Sequence, residues 1–301
     1  MSLQIKLIAG FASLAGLCLV AFILFPSTQD PVAPVPEPIV VPSEPVPESL
    51  SIVTRSIGIS VESRDITVTT YGTGATHLLF VGGVHGGYEW NSSLLAYEMM
   101  DYLATNPDLV PDDLTLSVIP TLNPDGLFKV TNKEGVFTVL DVVDPDTRVA
   151  AARFNANEVD LNRNFACKWQ PESTWRGNVV SAGTAAFSEP EAVALRDFVT
   201  EINPEAVVFW HSKANNVYAS ECKEGVLLET LAVMQTYADA GSYGAVASFD
   251  AYPITGDAEG WLASIGIPAV TVELETHNSI EWARNLAGVT ALMDRSSAIT
   301  K

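Results

Sequence analysis

The sequence predicts an α/β domain whose mixed, mostly parallel sheet is flanked by helices on both faces. Three observations indicate it: apolar runs of strand length, segments with apolar residues at helical spacing, and the regular alternation of the two. The apolar runs lie at residues 77–84, 114–120, 206–210 and 269–274. The helical segments lie at residues 92–104, 189–202, 226–240 and 279–296. Because parallel strands need long crossover connections, this alternation is typical of a largely parallel sheet.

The first part of the domain is predicted to hold two half-buried strands before a central one. Residues 57–61 and 65–71 alternate apolar and polar side chains, with a turn around Ser63 and Arg64. Residues 77–84 are largely apolar and include two glycines, which is typical of a buried central strand.

Composition limits the kind of protein that this chain can be. Of its 301 residues, 48% are hydrophobic and only 17% are charged, so it can bury a sizeable core. The formal net charge is 16 − 36 = −20, which repels phosphate backbones and argues against a nucleic-acid partner. The apolar excess is concentrated near the N-terminus, and this distribution excludes a polytopic membrane protein.

Residues 1–25 are predicted to be a signal-anchor that spans the membrane. Lys6 is followed by 19 uncharged residues, 7–25, about enough to cross a hydrocarbon core of roughly 30 Å. A cleaved signal peptide and a lipid anchor at Cys18 are the alternatives, although no Ala-x-Ala site ends the apolar run. In all three cases, the rest of the chain is exported across the membrane. We therefore expect a membrane-anchored protein with an extracytoplasmic domain, or a secreted one if the segment is cleaved.

Residues 26–50 are proline-rich with scattered acids and are predicted to be a semi-rigid linker. Residues 51–301 then form the exported domain, and we expect no folded inhibitory pro-segment before it. Cys167 and Cys222 lie within this domain. We expect them to form a disulfide in an oxidising compartment, with two separate buried thiols as the alternative.

Candidate metal ligands lie at or just beyond the ends of predicted strands, where active residues collect in such sheets. His85 follows one apolar strand, Glu89 lies four residues later, and His211 follows another strand. A hydrolytic zinc needs about three protein ligands and one open position, and two histidines with one glutamate are such a set. On its own, the His–Glu pair also fits an ordinary histidine in a loop.

Longer motifs make the pattern specific. Asn-Pro-Asp-Gly occupies residues 123–126, and Asp-Leu-Asn-Arg-Asn-Phe occupies residues 160–165. Trp-His-Ser and Thr-Val-Glu follow at residues 210–212 and 271–273. With these motifs in this order, the sequence resembles the M14 zinc metallocarboxypeptidases (carboxypeptidase A-like) over roughly residues 52–300.

The resemblance implies a metal centre in which His85, Glu89 and His211 bind zinc (Zn²⁺). It implies that Asp160 orients His85, since a carboxylate behind a ligating imidazole fixes its tautomer and ring plane. A helix-capping or solvated acid is the alternative for Asp160. One spacing departs from the family, which usually has His-x-x-Glu where this chain has His-x-x-x-Glu. Tyr88 stands at the usual position and cannot replace the carboxylate, so Glu89 is kept as the ligand.

The resemblance also implies a peptide site. Asn162 and Arg163 match the pair that binds the substrate's terminal carboxylate, which an arginine grips with two parallel hydrogen bonds. Arg153 matches the arginine that polarises the scissile carbonyl, and Glu273 matches the general base for zinc-bound water. Tyr252 matches the mobile tyrosine that closes over the substrate. A surface salt bridge for Arg153 and a packed position for Tyr252 are the alternatives.

The remaining histidines, His77 and His277, are expected not to bind the metal. The resemblance implies that Glu259, by its spacing from Trp261, matches the position at the floor of the family's pocket for the C-terminal side chain, with Asp257 nearby. A carboxylate there predicts a preference for C-terminal lysine, arginine or diaminopimelate.

The leading expectation is a zinc metallocarboxypeptidase that hydrolyses the C-terminal bond of peptides or cell-wall peptides. A murein-peptide amidase that releases diaminopimelate is the alternative on the same fold. A catalytically silent surface module is the third possibility, and the presence of Glu273, His85 and His211 argues against it. The chain has no Gly-x-Ser-x-Gly elbow with a matching histidine, so a serine hydrolase is excluded.

Overall fold

A computed structural model describes residues 51–143, 150–249 and 252–299. The predicted N-terminal transmembrane segment and proline-rich linker lie outside these residues. Within the described ranges, no helix has both the length and the apolar character needed to cross a bilayer.

The elements follow the predicted alternation closely. The strands are β1 (Ile52–Ile59), β2 (Asp65–Gly72), β3 (Thr76–Val81), β4 (Leu114–Ile119), β5 (Glu172–Trp175), β6 (Asn178–Ser181), β7 (Ala206–Ser212), β8 (Asn216–Ala219), β9 (Glu221–Cys222), β10 (Gly225–Val226), β11 (Gly244–Val246) and β12 (Ala269–Leu274). The helices are α1 (Trp90–Thr105), α2 (Pro124–Thr131), α3 (Pro190–Ile202), α4 (Leu228–Gly241), α5 (Ala258–Ser264) and α6 (Trp282–Ile299).

The main sheet has the strand order β1-β2-β4-β3-β7-β12-β8-β11. The central strands β4, β3, β7 and β12 run parallel to one another. The pairings β1–β2, β2–β4 and β12–β8 are antiparallel, and β8–β11 is parallel. The predicted α/β class with a mixed sheet is therefore confirmed.

The two faces of this sheet carry separate apolar cores, because successive strand residues point to opposite sides. The core beneath α1, α4 and α6 takes one set of residues from β3 and β7, namely Leu78, Phe80, Val208 and Trp210. The core beneath α3 and α5 takes the alternate set, namely Leu79, Val81, Val207 and Phe209. Burial on both faces explains why these strands are continuously apolar in the sequence.

The Asn-Pro-Asp-Gly motif forms the start of α2. Asn123 caps this helix, because its side-chain oxygen accepts a hydrogen bond from the Gly126 N–H at 2.8 Å. The buried Asp125 carboxylate accepts hydrogen bonds from the Ser60 hydroxyl at 2.6 Å and from Arg64 at 2.7 Å. These bonds fasten α2 to the turn between β1 and β2.

Element boundaries differ from the predictions where the chain turns. The first predicted strand, at residues 57–61, lies at Ile52–Ile59 instead, because the Ser60 N–H already bonds to the Arg64 carbonyl in the turn. Cys167 and Cys222 form a disulfide across 55 residues of chain, as expected. It links the segment after Arg163 to the strands that follow β7.

Candidate active site

The candidate site lies at the carboxyl ends of the central parallel strands. His85 follows β3, His211 belongs to the end of β7, and Glu273 belongs to the end of β12. The parallel register pairs Glu273 directly with His211, so both side chains project from the same edge of the sheet. This is where ligands bind in open α/β sheets.

His85, Glu89 and His211 form a buried cluster that fits a metal ion. The His85 Nδ1 and His211 Nδ1 atoms are 3.1 Å apart, and the Glu89 carboxylate lies 2.8 Å from the first and 2.9 Å from the second. Ligand atoms at about 2.0–2.1 Å around a tetrahedral zinc are separated by about 3.3 Å, so the cluster already has nearly the required spacing. Two histidines and one carboxylate are also a donor set that zinc prefers in catalytic sites.

The turn that carries His85 explains how the unusual spacing is accommodated. Residues Gly86–Glu89 form a short 3-10 turn, which delivers Glu89 to the cluster just before α1 begins. Gly86 has φ +45°, and a Cβ there would lie 2.8 Å from the Ala152 carbonyl oxygen, so a side chain would not fit. Tyr88 packs its ring against neighbouring aromatic rings, and Glu89 rather than Tyr88 joins the metal cluster.

A second carboxylate lies behind each histidine. Asp160 Oδ1 is 3.6 Å from His85 Nε2, at the position expected for an orienting aspartate. Glu259 Oε1 is 3.4 Å from His211 Nε2 and also accepts a hydrogen bond from the Thr271 hydroxyl at 2.9 Å. The contact between Glu259 and His211 was not indicated by the sequence.

The charges around the two histidines shift their pKa values in opposite directions. Burial, followed by the charge of Arg153, lowers the pKa of His85 to about 4. Burial also opposes protonation of His211, but the negative charges of Glu89 and Glu259 outweigh it and raise the pKa of His211 to about 10. Without a metal, His211 therefore holds the proton of the cluster.

Arg153 lies inside the site and does not form a surface salt bridge, since it is only 3% exposed. Its Nε donates a hydrogen bond to Asp160 at 2.9 Å, and its Nη1 is 3.7 Å from Glu89. Its guanidinium lies over the Trp175 ring, 4.8 Å from the ring centre.

Asn162 and Arg163 line the same cavity as the metal cluster. The Asn162 side-chain oxygen accepts a hydrogen bond from the Ala258 N–H at 2.9 Å, which fixes the start of α5 beside it. The Arg163 Nη1 donates to the Asn162 carbonyl at 2.6 Å, whereas its Nε is buried with no hydrogen-bond partner among the described residues. A buried, unused donor of this kind suits an anionic ligand.

Glu273 lines the cavity beside the cluster, and its Oε2 atom is buried without a hydrogen-bond partner in the part of the chain that the structure describes. Burial, and then the nearby charge of Glu89, raise the pKa of Glu273 to about 8. A carboxyl group with a pKa near neutrality is suited to exchanging protons.

The cavity itself has a volume of about 1540 Å³. Tyr252 lies at its rim with 41% of its surface exposed, and the centre of its ring is 4.8 Å from that of the Phe249 ring. Asp257 and Glu259 also line the cavity. The site therefore brings together all ten predicted residues, namely His85, Glu89, Arg153, Asp160, Asn162, Arg163, His211, Tyr252, Glu259 and Glu273.

Other residues at the site were not identified as part of it from the sequence. Ser212 and His277 line the cavity and are linked by a hydrogen bond of 2.8 Å, and Tyr88 and Trp175 form an aromatic wall beside them. Ser212 belongs to the Trp-His-Ser motif, but that motif pointed to no role for the serine, and Tyr88, Trp175 and His277 have no motif that would have revealed them. His277 and His77 lie outside the three-residue metal cluster.

Comparisons with known proteins agree with this geometry. A gamma-D-glutamyl-L-diamino acid endopeptidase of Lysinibacillus sphaericus is 26% identical over 182 residues, 54% of this chain and 46% of the relative. Murein peptide amidase A of Escherichia coli is 40% identical over 79 residues, 23% of this chain and 33% of the relative. This chain thus spans about half or less of the length of these relatives.

Among solved structures, carboxypeptidase A from Helicoverpa armigera has a TM-score of 0.66 at 18% identity, covering 82% of this chain and 69% of that one. That similarity shows the fold alone. The model of the zinc carboxypeptidase family, Peptidase_M14, matches residues 47–282, which is most of the sequence. The chain therefore belongs to the M14 family of zinc carboxypeptidases.

Proposed function

We propose that the protein is a zinc-dependent metallocarboxypeptidase that releases one residue from the C-terminus of a peptide. The observation that carries the proposal is the buried cluster of His85, Glu89 and His211, which opens into a cavity with Glu273 and Arg163. The three ligands, the base and the carboxylate-binding arginine lie in one cavity. This complete set argues against a silent binding module.

Each residue has a defined task in the hydrolysis. When bound, zinc supplies Lewis-acid chemistry and lowers the pKa of water. Glu273 accepts the proton of the attacking water and passes it to the leaving amine. Arg153 donates hydrogen bonds to the oxygen that becomes negatively charged in the transition state, where a buried cation is most effective.

Asn162 and Arg163 bind the terminal carboxylate and so restrict cleavage to the last peptide bond. The free Nε of Arg163 supports this role, because the guanidinium retains a donor for the substrate. We propose that Tyr252, exposed at the rim, closes over the bound substrate.

A preference for cationic C-terminal side chains is the finer part of the proposal. Asp257 and Glu259 line the cavity together. Burial, and then the charge of Glu259, raise the pKa of Asp257 to about 6, because two buried carboxylates repel each other. A lysine, arginine or diaminopimelate side chain would relieve this repulsion.

A murein-peptide amidase is the second candidate function. The 79-residue match to murein peptide amidase A favours it, as does the gamma-D-glutamyl endopeptidase among the relatives. The amine of diaminopimelate could satisfy the same two carboxylates.

We also propose that the domain acts outside the cytoplasm, anchored through residues 1–25. The disulfide between Cys167 and Cys222 supports this, because disulfides persist mainly in oxidising compartments.

Mass spectrometry of peptide products would test these functions directly. The full chain in detergent, loaded with zinc, is incubated with peptides that end in lysine, arginine, diaminopimelate, phenylalanine or leucine. Amidated peptides and muropeptides complete the panel. We expect loss of one C-terminal residue, fastest for the cationic ones, and no cleavage of amidated peptides or after chelation. Cleavage of muropeptides alone would favour the amidase, and no cleavage of any substrate would contradict both.

A further inference from the structure

Two carboxylates of the site occupy equivalent positions behind the two histidines. Asp160 lies behind His85, and Glu259 lies behind His211, each 3.4–3.6 Å from the Nε2 atom that faces away from the cluster. His85 Nε2 and His211 Nε2 have no closer hydrogen-bond partner among the described residues. Both Nδ1 atoms thus point into the metal cluster while both Nε2 atoms face a carboxylate.

Glu259 is itself held firmly. It is 4% exposed and lies in the first turn of α5, and the Thr271 hydroxyl donates to the same Oε1 atom that faces His211. Thr271 belongs to β12, two residues before Glu273. The glutamate is therefore fixed between a helix start and the central sheet where it lines the cavity.

Such a contact has a known physical effect on a metal ligand. A carboxylate that accepts the Nε2 proton of an imidazole keeps Nδ1 unprotonated for the metal, fixes the ring plane and makes the ligand more basic. Asp257 does not take this position, although it is near in sequence and lines the same cavity, because its carboxylate caps α5 through the Gly260 N–H at 2.7 Å.

We propose that Glu259 is a positioning residue for zinc, which holds His211 with Nδ1 directed at the metal. The inference deepens the proposed function, because it rests on His211 as a zinc ligand. The floor of the side-chain pocket and the metal centre then share one residue. A change at Glu259 alters the metal site even when no peptide is present.

Zinc affinity, measured in the full chain by competition with a chelating dye and without peptide, tests this inference. Glu259→Leu removes the acceptor, and we expect zinc binding about 10–100-fold weaker. Glu259→Gln keeps an acceptor oxygen and is expected to lose less. Glu275→Gln is the control, because it removes a carboxylate at an exposed position two residues beyond Glu273 and outside the cavity, and its zinc affinity is expected to stay within about twofold.

A second readout separates positioning from folding. Cobalt is bound in place of zinc, and its visible absorption reports the ligand geometry; the spectrum should change in Glu259→Leu and not in Glu275→Gln. Thermal unfolding of the metal-free variants shows whether each one folds. If Glu259→Leu fails to fold, Thr271→Val serves instead, since it frees the glutamate, and weaker zinc binding is again expected.

The inference is overturned if the folded Glu259 or Thr271 variants bind zinc as tightly as the wild type, or if Glu275→Gln weakens binding equally. Failure of the proposed function would look different. In that case the wild-type protein would cleave no peptide while its zinc affinity still depended on Glu259.

Discussion

His85 and His211 meet at the same cluster, but the two halves of the site support them by different means. Asp160, behind His85, is an ionised carboxylate whose charge is balanced by two arginines. Although burial opposes its ionisation, the charges of Arg153 and Arg163 lower the pKa of Asp160. Among the described residues, the other side-chain partner of Glu259, behind His211, is the neutral Thr271 hydroxyl. The first half of the site is thus balanced in charge, whereas the second is negative.

This difference in charge shows how one site can serve both metal binding and substrate binding. Where Arg153 balances the carboxylate, the histidine stays neutral and ready for a metal, and the arginine remains close to the cluster for the substrate. Beside Glu259, which has no arginine partner in the part of the chain that the structure describes, His211 attracts a proton that must leave when a metal binds. The unbalanced half is also the half that faces a cationic substrate side chain in our proposal.

The largest effect is expected at Glu89, the ligand shared by both halves. Glu89→Gln removes the one anionic residue of the three-residue ligand set, and we expect hydrolysis to be lost. Zinc affinity should fall by more than the roughly 100-fold that is typical when a residue that contacts a metal ligand, and not the metal itself, is replaced. Tyr88→Phe is the matched control, since this neighbour lies at the family's usual spacing but outside the cluster. Metal content after dialysis and peptide cleavage measure both effects. Zinc retained by Glu89→Gln would remove Glu89 from the ligand set.

The next effect concerns chemistry without metal binding. Glu273→Gln should lower kcat by about 10²–10⁴-fold, since a general base is removed, while zinc affinity stays within a few-fold. Glu275→Gln, an exposed neighbour on the same segment, should leave both quantities unchanged. Steady-state kinetics alongside metal titration separate the two quantities. An active Glu273→Gln enzyme would require a different base.

The disulfide joins the two halves covalently, and its removal should cost stability. Cys167 follows Arg163 by four residues, and Cys222 lies beyond β7. Closing a loop of 55 residues is worth about 4 kcal/mol in the loop-entropy estimate. Cys167→Ala with Cys222→Ala should lower the free energy of unfolding by about that amount, as measured with urea. The reduced wild type is the control, and we expect its free energy of unfolding to equal that of the variant. A variant as stable as the oxidised protein would contradict the prediction.

The fold and most of the site could be predicted because both depend on local patterns. The apolar runs of β3, β4, β7 and β12 result from burial on both faces of the sheet. The motifs that carry the site residues, such as Asp-Leu-Asn-Arg-Asn-Phe at residues 160–165, are specific in their order along the chain. Short elements such as the β5–β6 hairpin were missed, because strands of four half-exposed residues carry no apolar signal.

What the sequence could not predict was the long-range contact that Glu259 makes. Glu259 and His211 are 48 residues apart, and their contact depends on how α5 lies against β12. Spacing assigned Glu259 to the pocket floor, and only packing brings it behind a metal ligand. The cavity wall of Tyr88, Trp175 and His277 arises in the same way, from segments that meet only in the folded chain.

The smallest change in the site itself is the single proton that distinguishes the two histidines. At pH 7 the metal-free cluster holds His85 neutral and His211 protonated, because their pKa values lie at about 4 and about 10. Zinc binds the neutral ring, so its binding must release the His211 proton, and zinc affinity should rise about tenfold per pH unit between pH 6 and 9.

Glu273, with a pKa of about 8, also loses its proton more readily beside a cation, so the measurement is made in Glu273→Gln. Proton release in weak buffer should be close to one per zinc, and Glu259→Leu in the same background should lower it toward pH 9. No release at pH 7 would place the proton elsewhere, and the two halves of the site would then not differ in the way that their charges indicate.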